Sequence, residues 1–255
     1  MRLCILLKIC LRTFFSIVSS FSKIHKCVVW REKMKVLIFN GSPRSKGATS
    51  TVLHRIEKEL KESDVEVDFY NLGSIGISHC TGCCSCYRTG ACCLSDDAEI
   101  LSQKISEADG IVLGSPTYAS NVSGLMKDFI DRGHFVIEQL LYGKPCITVA
   151  TGENYGNRSA LKVLNNLVLY SGGKISDHIL LKIPFNGISG MEKHVLKRTR
   201  RASVRLIREL QGKKKHLVQC FCHGIIFRLG IRPFVMKKGA AYAGVVRKWQ
   251  ERGII

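Results

Sequence analysis

From residue 35 to residue 183 the chain alternates short, β-rich apolar runs with segments of helical periodicity. Few architectures accept that alternation. Residues 35–40 read as a strand, and after a Gly/Ser loop residues 49–62 read as a helix with Val52, Ile56 and Leu60 on one face. Residues 65–72 give a second strand, and 96–108 a helix turning Ile100, Leu101 and Ile105 inward. Then come a buried strand (110–114), a helix (123–141), a strand (145–151), a helix (158–170) and a last strand (174–183). Parallel neighbours need crossover helices, and those crossovers are right-handed. The expectation is an α/β fold: a doubly wound, five-stranded parallel sheet of order 2-1-3-4-5, with ligands at its carboxyl edge.

Composition supports a packed body, since 45% of the 255 residues are hydrophobic and 23% charged. The formal charge of +19 is uneven: residues 1–33 carry +6, residues 187–255 carry +14, and residues 34–186 carry −1. Three regions follow: an N-terminal extension (1–33), a near-neutral α/β domain (34–186) and a basic, mostly helical C-terminal extension (187–255). Lys8 and Arg12 interrupt the first apolar stretch, so residues 1–33 suit neither a spanning helix nor a plain signal peptide. A transit peptide or membrane-surface helix fits their charge. Because Met34 opens the first strand, a spurious upstream extension is the stronger reading.

In the last region Val195, Thr199, Ala202, Leu206 and Leu210 recur at helical spacing. Beyond Gly212, residues 217–236 are apolar but cut by Arg228, Arg232 and Pro233, so they do not span a bilayer. Contact with an anionic membrane or an acidic protein, and a solvated basic helix packed on the domain, are two open readings. No recognised module accompanies the charge, which argues against sequence-specific nucleic-acid binding.

Three loops at the carboxyl ends of neighbouring strands converge. The first, GSPRSKGATS (residues 41–50), is neither a Walker A loop nor GxGxxG, but it ends at a helix N-terminus, where backbone N–H groups and the helix dipole favour a phosphate. Ser42, Thr49 and Ser50 offer hydroxyls and Arg44 a charge-assisted donor; ordinary capping by Thr49 or Ser50 is the alternative. The second loop carries Pro116, Thr117, Tyr118 and Asn121, and the third carries Thr151, Gly152, Tyr155 and Gly156. Tyr118 and Tyr155 could cover a flat heterocycle.

The patterns GSPR..GATS, GSPTY..N.SG.MK.FIDR and TG..YG resemble the NAD(P)H-dependent FMN reductases of the flavodoxin-like superfamily, over about residues 34–185. That resemblance implies FMN, with its phosphate held by Ser42, Arg44, Thr49 and Ser50. It also implies a ring lined by Pro116, Thr117, Tyr118 and Asn121 on one side and Thr151, Gly152, Tyr155 and Gly156 on the other. Ala48 stands where the family often has Asn. NAD(P)H or a small redox carrier would be the electron partner, and a homo-oligomer is expected.

Six of the twelve cysteines lie between residues 80 and 93. A chain with its own core and a cytosolic pattern points to metal before disulfides. The frame C-x2-C-x2-C-x5-C through Cys80, Cys83, Cys86 and Cys92 suits soft iron corners wrapped from one short loop. The spacing resembles the iron–sulfur flavoproteins, a branch of the same family, and implies a [4Fe–4S] cluster. Cys93 in place of Cys92, a zinc site and a redox-switching thiol group remain alternatives. The loop follows the second strand, which would bring it close to the crevice. Cys146 reads as core, Cys220 and Cys222 as small buried residues, and His54 and His134 as surface or packing groups. No acid–base constellation stands out, so no catalytic side chain is assigned. An FMN-dependent oxidoreductase is the expected activity; a plain flavin or quinone reductase, and a membrane-anchored flavin sensor, are the rivals.

Overall fold

The structure, a computed structural model, describes residues 33–184, 188–213 and 216–255. The readings made for the N-terminal extension fall on residues outside that description. Five long strands form the sheet: β1 (Lys35–Asn40), β2 (Glu66–Asn71), β3 (Gly110–Tyr118), β5 (Pro145–Gly152) and β6 (Lys174–Lys182). They lie in the order β2-β1-β3-β5-β6, all parallel. Counted as long strands this is the expected 2-1-3-4-5. The addition is β4 (Asn121–Val122), a two-residue antiparallel strand on the end of β3.

β3 runs four residues beyond its expected end, through Pro116. A strand tolerates proline only where its missing N–H faces no partner. Pairing with β1 stops at Asn40↔Gly114, so Pro116 has a neighbour only on the β5 side, at Thr151.

Helices cover both faces. On one lie α1 (Ala48–Lys61) and α7 (Glu192–Leu210), whose Val195, Ala202 and Leu206 join Val36, Ile38, Ile56, Val112 and Val149 in one buried cluster. The Thr199 hydroxyl donates to Glu59 Oε1 at 2.8 Å across the α1–α7 contact. The apolar stripe of α7 thus packs on the sheet. On the other face α3 (Asp97–Glu107), α4 (Gly124–Arg132) and α6 (Asn157–Tyr170) bury Leu101, Ile105, Met126, Phe129 and Leu164 against Leu37, Phe39 and Leu113. Ile100, expected inward, is exposed, because the inward arc of α3 is filled by Ala98, Leu101 and Ile105.

The helix expected over 123–141 is broken. After α4, His134 turns left-handed (φ 49°), a short α5 (Phe135–Glu138) follows, and Gln139 turns left-handed again (φ 55°). Packing decides this: Phe135 folds back edge-on to Phe129, with ring centroids 5.2 Å apart. A Cβ on Gly133 would overlap the Phe135 ring. The Gln139 amide, fully buried, donates to the carbonyls of Val136 and Tyr170.

Past α7 the chain continues as α8 (Leu217–Ile226), a π turn (Phe227–Ile231), α9 (Arg232–Lys237) and α10 (Ala243–Glu251). Pro233 would clash with the carbonyl four residues before it in a regular helix; that carbonyl belongs to Leu229, inside the π turn. Phe227, Val235, Val245 and Trp249 form a third buried cluster with Tyr87, Ile137 and Tyr242. Among the described residues no helix is long and apolar enough to cross a membrane. Cys146 is buried, and burial pushes its thiol up to about 12. Cys220 and Cys222 are exposed instead of buried, because Gln219, His223 and Phe227 take the inner side of that helical run.

Leu206 is fully buried while Leu196, on the same helix, is exposed. Leu206→Ala is therefore expected to cost about 2–5 kcal/mol in urea unfolding, and Leu196→Ala less than about 0.5 kcal/mol. Equal, small losses would show that α7 is not part of the core.

Candidate active site

The carboxyl edge of the sheet is organised by one buried side chain. Asn40, the last residue of β1, donates from Nδ2 to Ser50 Oγ at 2.9 Å and to Asn71 Oδ1 at 2.8 Å. Its Oδ1 accepts from the Ser42 amide at 3.0 Å. Ser50 in turn donates to the Arg44 carbonyl at 2.6 Å. The loop over 41–47 is therefore held in shape from within. Gly41 donates its amide to the Gly114 carbonyl at 2.8 Å and accepts the Ser123 hydroxyl at 2.6 Å, which joins the first loop to the second. A Cβ on Gly41 would sit 2.9 Å from the Met126 Cβ, too close to accept.

At the start of α1 the N-cap is Gly47, and no side chain caps it. The capping alternative for Thr49 or Ser50 thus fails: Ser50 is spent inside the loop, and Thr49 Oγ1 lies 2.7 Å from Thr151 Oγ1, tying the first loop to the third. An uncapped helix of this length leaves amides and the positive end of its dipole available to an anion.

A cleft opens between these loops, lined by Ser42, Arg44, Gly47, Ala48, Thr49, Pro116, Thr117, Tyr118, Thr151, Gly152, Ile183 and Pro184. Eight of the twelve residues expected to hold a flavin meet there. Ser50 stands behind the loop. Asn121 turns its Oδ1 onto the Val122 amide at 2.8 Å. Tyr155 is 91% exposed. Gly156 (φ 83°) touches the neighbouring turn, where a Cβ would overlap Ser120. That turn, Ala119–Ser120, is left-handed at both positions (φ 47° and 62°), the conformation a two-residue hairpin between β3 and β4 demands.

Two details bear on what the cleft can hold. Thr117 Oγ1 is buried and has no hydrogen-bond partner, and a buried hydroxyl left so is costly unless a ligand satisfies it. Gly152 lies against Asn157, whose Nδ2 donates to the Gly152 carbonyl at 2.9 Å; a Cβ there would stand 2.5 Å from Asn157 Oδ1. The cleft is shallow, with a cavity volume of about 30 Å³, and Tyr118 stands in its lining. Ile183 and Pro184 were not foreseen; their position just past the end of β6, on the same sheet edge, is the signal that would have found them.

The segment after β2 is drawn along α4: a Cβ on Gly73 would contact Leu125, His79 Nδ1 meets Asp128 Oδ1 at 2.6 Å, and Ser78 reaches Arg132. The nine residues of α4 span about 13 Å, and the segment follows that helix from Leu125 to Arg132. At the far end Arg132, with 1% of its side chain exposed, grips Asp96 through two bonds of 2.7 and 2.8 Å and donates to the Ser78 carbonyl at 2.8 Å. Asp96 also accepts from the Ser78 and Ala98 amides. Both ends of the loop are thereby clamped by one ion pair. The sequence carried Arg132 only as part of a pattern, without a role.

Within the loop, Gly82 (φ 68°), Cys84 (φ 57°) and Gly90 (φ 82°) are left-handed, bending the chain around a short helix, α2 (Ser85–Thr89). Cys83 Sγ and Cys93 Sγ are 3.2 Å apart, and Cys84 Sγ donates to the Gly82 carbonyl at 3.4 Å. The Ser85 amide, with Cys93 and Thr81, holds the Cys83 thiol below its ordinary value. Burial, and then the Glu138 carboxylate, push Cys86 up to about 12. No group of three or more His, Cys, Asp or Glu among the described residues is yet drawn together tightly enough to hold an ion. The donor chemistry is nonetheless that of a soft-metal site: six thiols on fourteen residues, with the turns needed to wrap them. The loop is roofed by α10. The Tyr87 and Tyr242 rings stack at 4.9 Å, Arg247 donates to the Thr89 carbonyl, and a Cβ on Gly244 would overlap the Thr89–Gly90 backbone.

The family model for NADPH-dependent FMN reductase matches residues 34–182. An iron–sulfur flavoprotein of Clostridioides difficile strain 630 is 36% identical over 226 residues, covering 87% of this chain and all of that protein. The chain belongs to the NADPH-dependent FMN reductase family, in its iron–sulfur flavoprotein branch. That membership places it among the FMN oxidoreductases. An iron–sulfur flavoprotein of Methanocaldococcus jannaschii is 31% identical over 141 residues, covering 53% of this chain and 72% of its own. Among solved structures, an NADH:FMN oxidoreductase in its apo form (TM-score 0.54, 17% identity, 73% of this chain and 94% of that one) shares the fold. So does an archaeal flavodoxin (TM-score 0.50, 15% identity, 70% and 99%).

Burial would raise the Asp96 carboxyl, but the Arg132 guanidinium and the Ser78 and Ala98 amides outweigh it and hold it at about 2, below its ordinary 3.8. The stability it contributes is complete above pH 3.8 and fades as pH falls through 2. Asp96→Ala strands Arg132 and is expected to cost about 3 kcal/mol at neutral pH, with the gap to wild type narrowing in acid. Urea melts at pH 7 and near pH 2.5 check this; a gap constant with pH would dismiss the clamp.

Proposed function

We propose that the cleft holds FMN, that the cysteine loop carries a [4Fe–4S] cluster on Cys80, Cys83, Cys86 and Cys92, and that the protein passes electrons between NAD(P)H or a reduced carrier and these two groups. The observation that carries the flavin reading is the unpartnered, buried hydroxyl of Thr117 in a cleft that also borders an uncapped helix N-terminus. A phosphate held by Ser42, Arg44 and Thr49 would use the free amides of the first turn of α1. Thr151, tied to Thr49, keeps the opposite wall in register with the first. Ser50 contributes by fixing the Arg44 carbonyl. Pro116, Thr117 and Tyr118 would flank the ring on one side and Gly152 on the other, with Tyr118 and Tyr155 at the open side, where NAD(P)H or a second copy of the chain would approach. FMN held there would supply hydride acceptance and single-electron transfer, and the part of Thr117, Tyr118 and the loop around Ser42 would be to position it and tune its potential.

For the cluster, four thiolates from one clamped loop suit a cuboidal centre better than paired knuckles would. Cys84 and Cys93 are then surplus, and the Cys83–Cys93 contact would give way when the loop closes on iron. The Arg132–Asp96 pair holds the loop ends together without any bound centre.

Anaerobically purified full-length protein is expected to contain about one FMN, about four iron and about four sulfide per chain, with a broad shoulder under the flavin bands. Flavin without iron removes the cluster half of the proposal. Colourless protein that refuses added FMN at micromolar concentration removes the other half. Thr117→Val, which deletes one hydrogen bond at constant shape, is expected to weaken FMN binding about five-fold, the equivalent of about 1 kcal/mol, by fluorescence titration. Unchanged affinity would mean that the Thr117 hydroxyl faces no ligand.

A further inference from the structure

We propose that the helical run from Leu217 to Lys237 seats the protein on an anionic membrane surface. This does not rest on the flavin or cluster reading. The run is inverted relative to an ordinary surface helix. Its inner side is partly polar: Gln219 exchanges hydrogen bonds of 2.8 and 3.1 Å with the Ile175 backbone, and His223 Nε2 meets Gln139 Oε1 at 2.6 Å. Phe227 completes that side against Trp249, ring centroids 5.1 Å apart. The run is therefore fixed to the body without using most of its large apolar side chains. Those point the other way. Leu217, Val218, Phe221, Ile225 and Leu229 are all exposed, between 44% and 77%. At the helical period the first four fall within an arc of about 100°, so they form a continuous apolar stripe and not scattered surface residues.

The charge around the stripe selects its occupant. Between Glu209 and Glu251 the sequence has nine Lys and Arg and no Asp or Glu. Arg228, Arg232, Lys237 and Lys238 are exposed beside the stripe and have no ion-pair partner among the described residues. A second copy packed on this face would set cations against cations. An acidic protein would satisfy the charges, but it would need an apolar face of its own to cover the stripe. An anionic leaflet answers both at once: apolar side chains enter the acyl boundary while arginine and lysine stems keep their charged heads among the phosphates.

The test is sedimentation of the full-length protein with vesicles of phosphatidylcholine alone and of phosphatidylcholine with about 30% phosphatidylserine. The bound fraction is expected to be about ten-fold higher on the anionic vesicles and to fall with added salt. Phe221→Asp with Leu229→Asp, both exposed positions, should lower it to the level of neutral vesicles while the thermal melt stays that of wild type. Arg228→Gln with Arg232→Gln, which keeps the stripe, should lower it too. Equal sedimentation with both vesicle types overturns the proposal. So does anionic binding that survives the aspartates, since charge alone would then hold an acidic surface of any kind. A dimer in size-exclusion light scattering that dissociates in the aspartate variant, with no lipid binding by wild type, would assign the face to a second copy instead.

Discussion

A single side-chain amide at the end of the central strand sets the geometry of the candidate site. Asn40 is fully buried, and each of its polar groups has a partner: the neighbouring strand through Asn71, the first loop through the Ser42 amide, and the first turn of α1 through Ser50. A buried amide in a region of low dielectric is stabilising only when so satisfied. With those bonds made, the loop cannot collapse onto the helix N-terminus, and the amides there remain open toward the cleft. The hydroxyls of Thr49 and Thr151 then lock the first and third loops, and Ser123 locks the first to the second. Three loops with few apolar contacts of their own thus become one rigid rim.

The second polar centre, Arg132 with Asp96, works on a different part of the molecule. It lies at the opposite end of α4 from Ser123, so the two polar centres are joined by one helix. A bidentate guanidinium–carboxylate pair is directional as well as attractive, and here it sets the separation of the two ends of a nineteen-residue excursion from Ser78 to Asp96. Inside that excursion the backbone is mostly exposed and bends at left-handed positions. A loop of that kind holds thiols in order only if its ends are fixed and one wall is provided. The ion pair supplies the first, and Tyr242, Gly244 and Arg247 supply the second. The C-terminal region is in this way part of the environment of the cysteines and not an appendage to the α/β domain.

What could be read from the sequence follows from which interactions are local. Strands buried on both faces appear as apolar runs, so all five long strands and their order were legible, as were the three loops that meet at the cleft. Cys146 and the stripe on α7 were legible for the same reason. The break between α4 and α5 was not, because it is decided by Phe135 folding back on Phe129, which helical periodicity does not show, and by Gln139 reaching Tyr170 and His223, which are remote in sequence. Asn40 left a trace that could have been used: a polar residue closing an apolar strand, with Asn71 at the equivalent place on the next strand and in register with it. Arg132 and Asp96, thirty-six residues apart, left none. The course of the cysteine loop depends on that pair, so its path along α4 could not be read from local sequence.

The two basic helical segments show why charge alone does not identify a docking surface. In α7 the periodicity places Val195, Ala202 and Leu206 against the sheet and sends Lys197, Arg200 and Arg208 outward, with Arg201 and Arg205 also turning to Asp177 at 3.3 and 3.0 Å. Its cations are solvated or paired, and its main apolar stripe is used within the fold, which leaves only Leu196 and Val204 of its large apolar side chains exposed. Between Leu217 and Lys237 the arrangement is reversed, with polar groups engaged inside and aliphatic and aromatic side chains outside. Both segments contribute to the same excess of positive charge, yet only the second leaves a large apolar area in water for which the fold has no use. The hydrophobic effect, which is non-directional and scales with exposed area, therefore singles out that segment, and the cations around it restrict which surface can relieve the exposure.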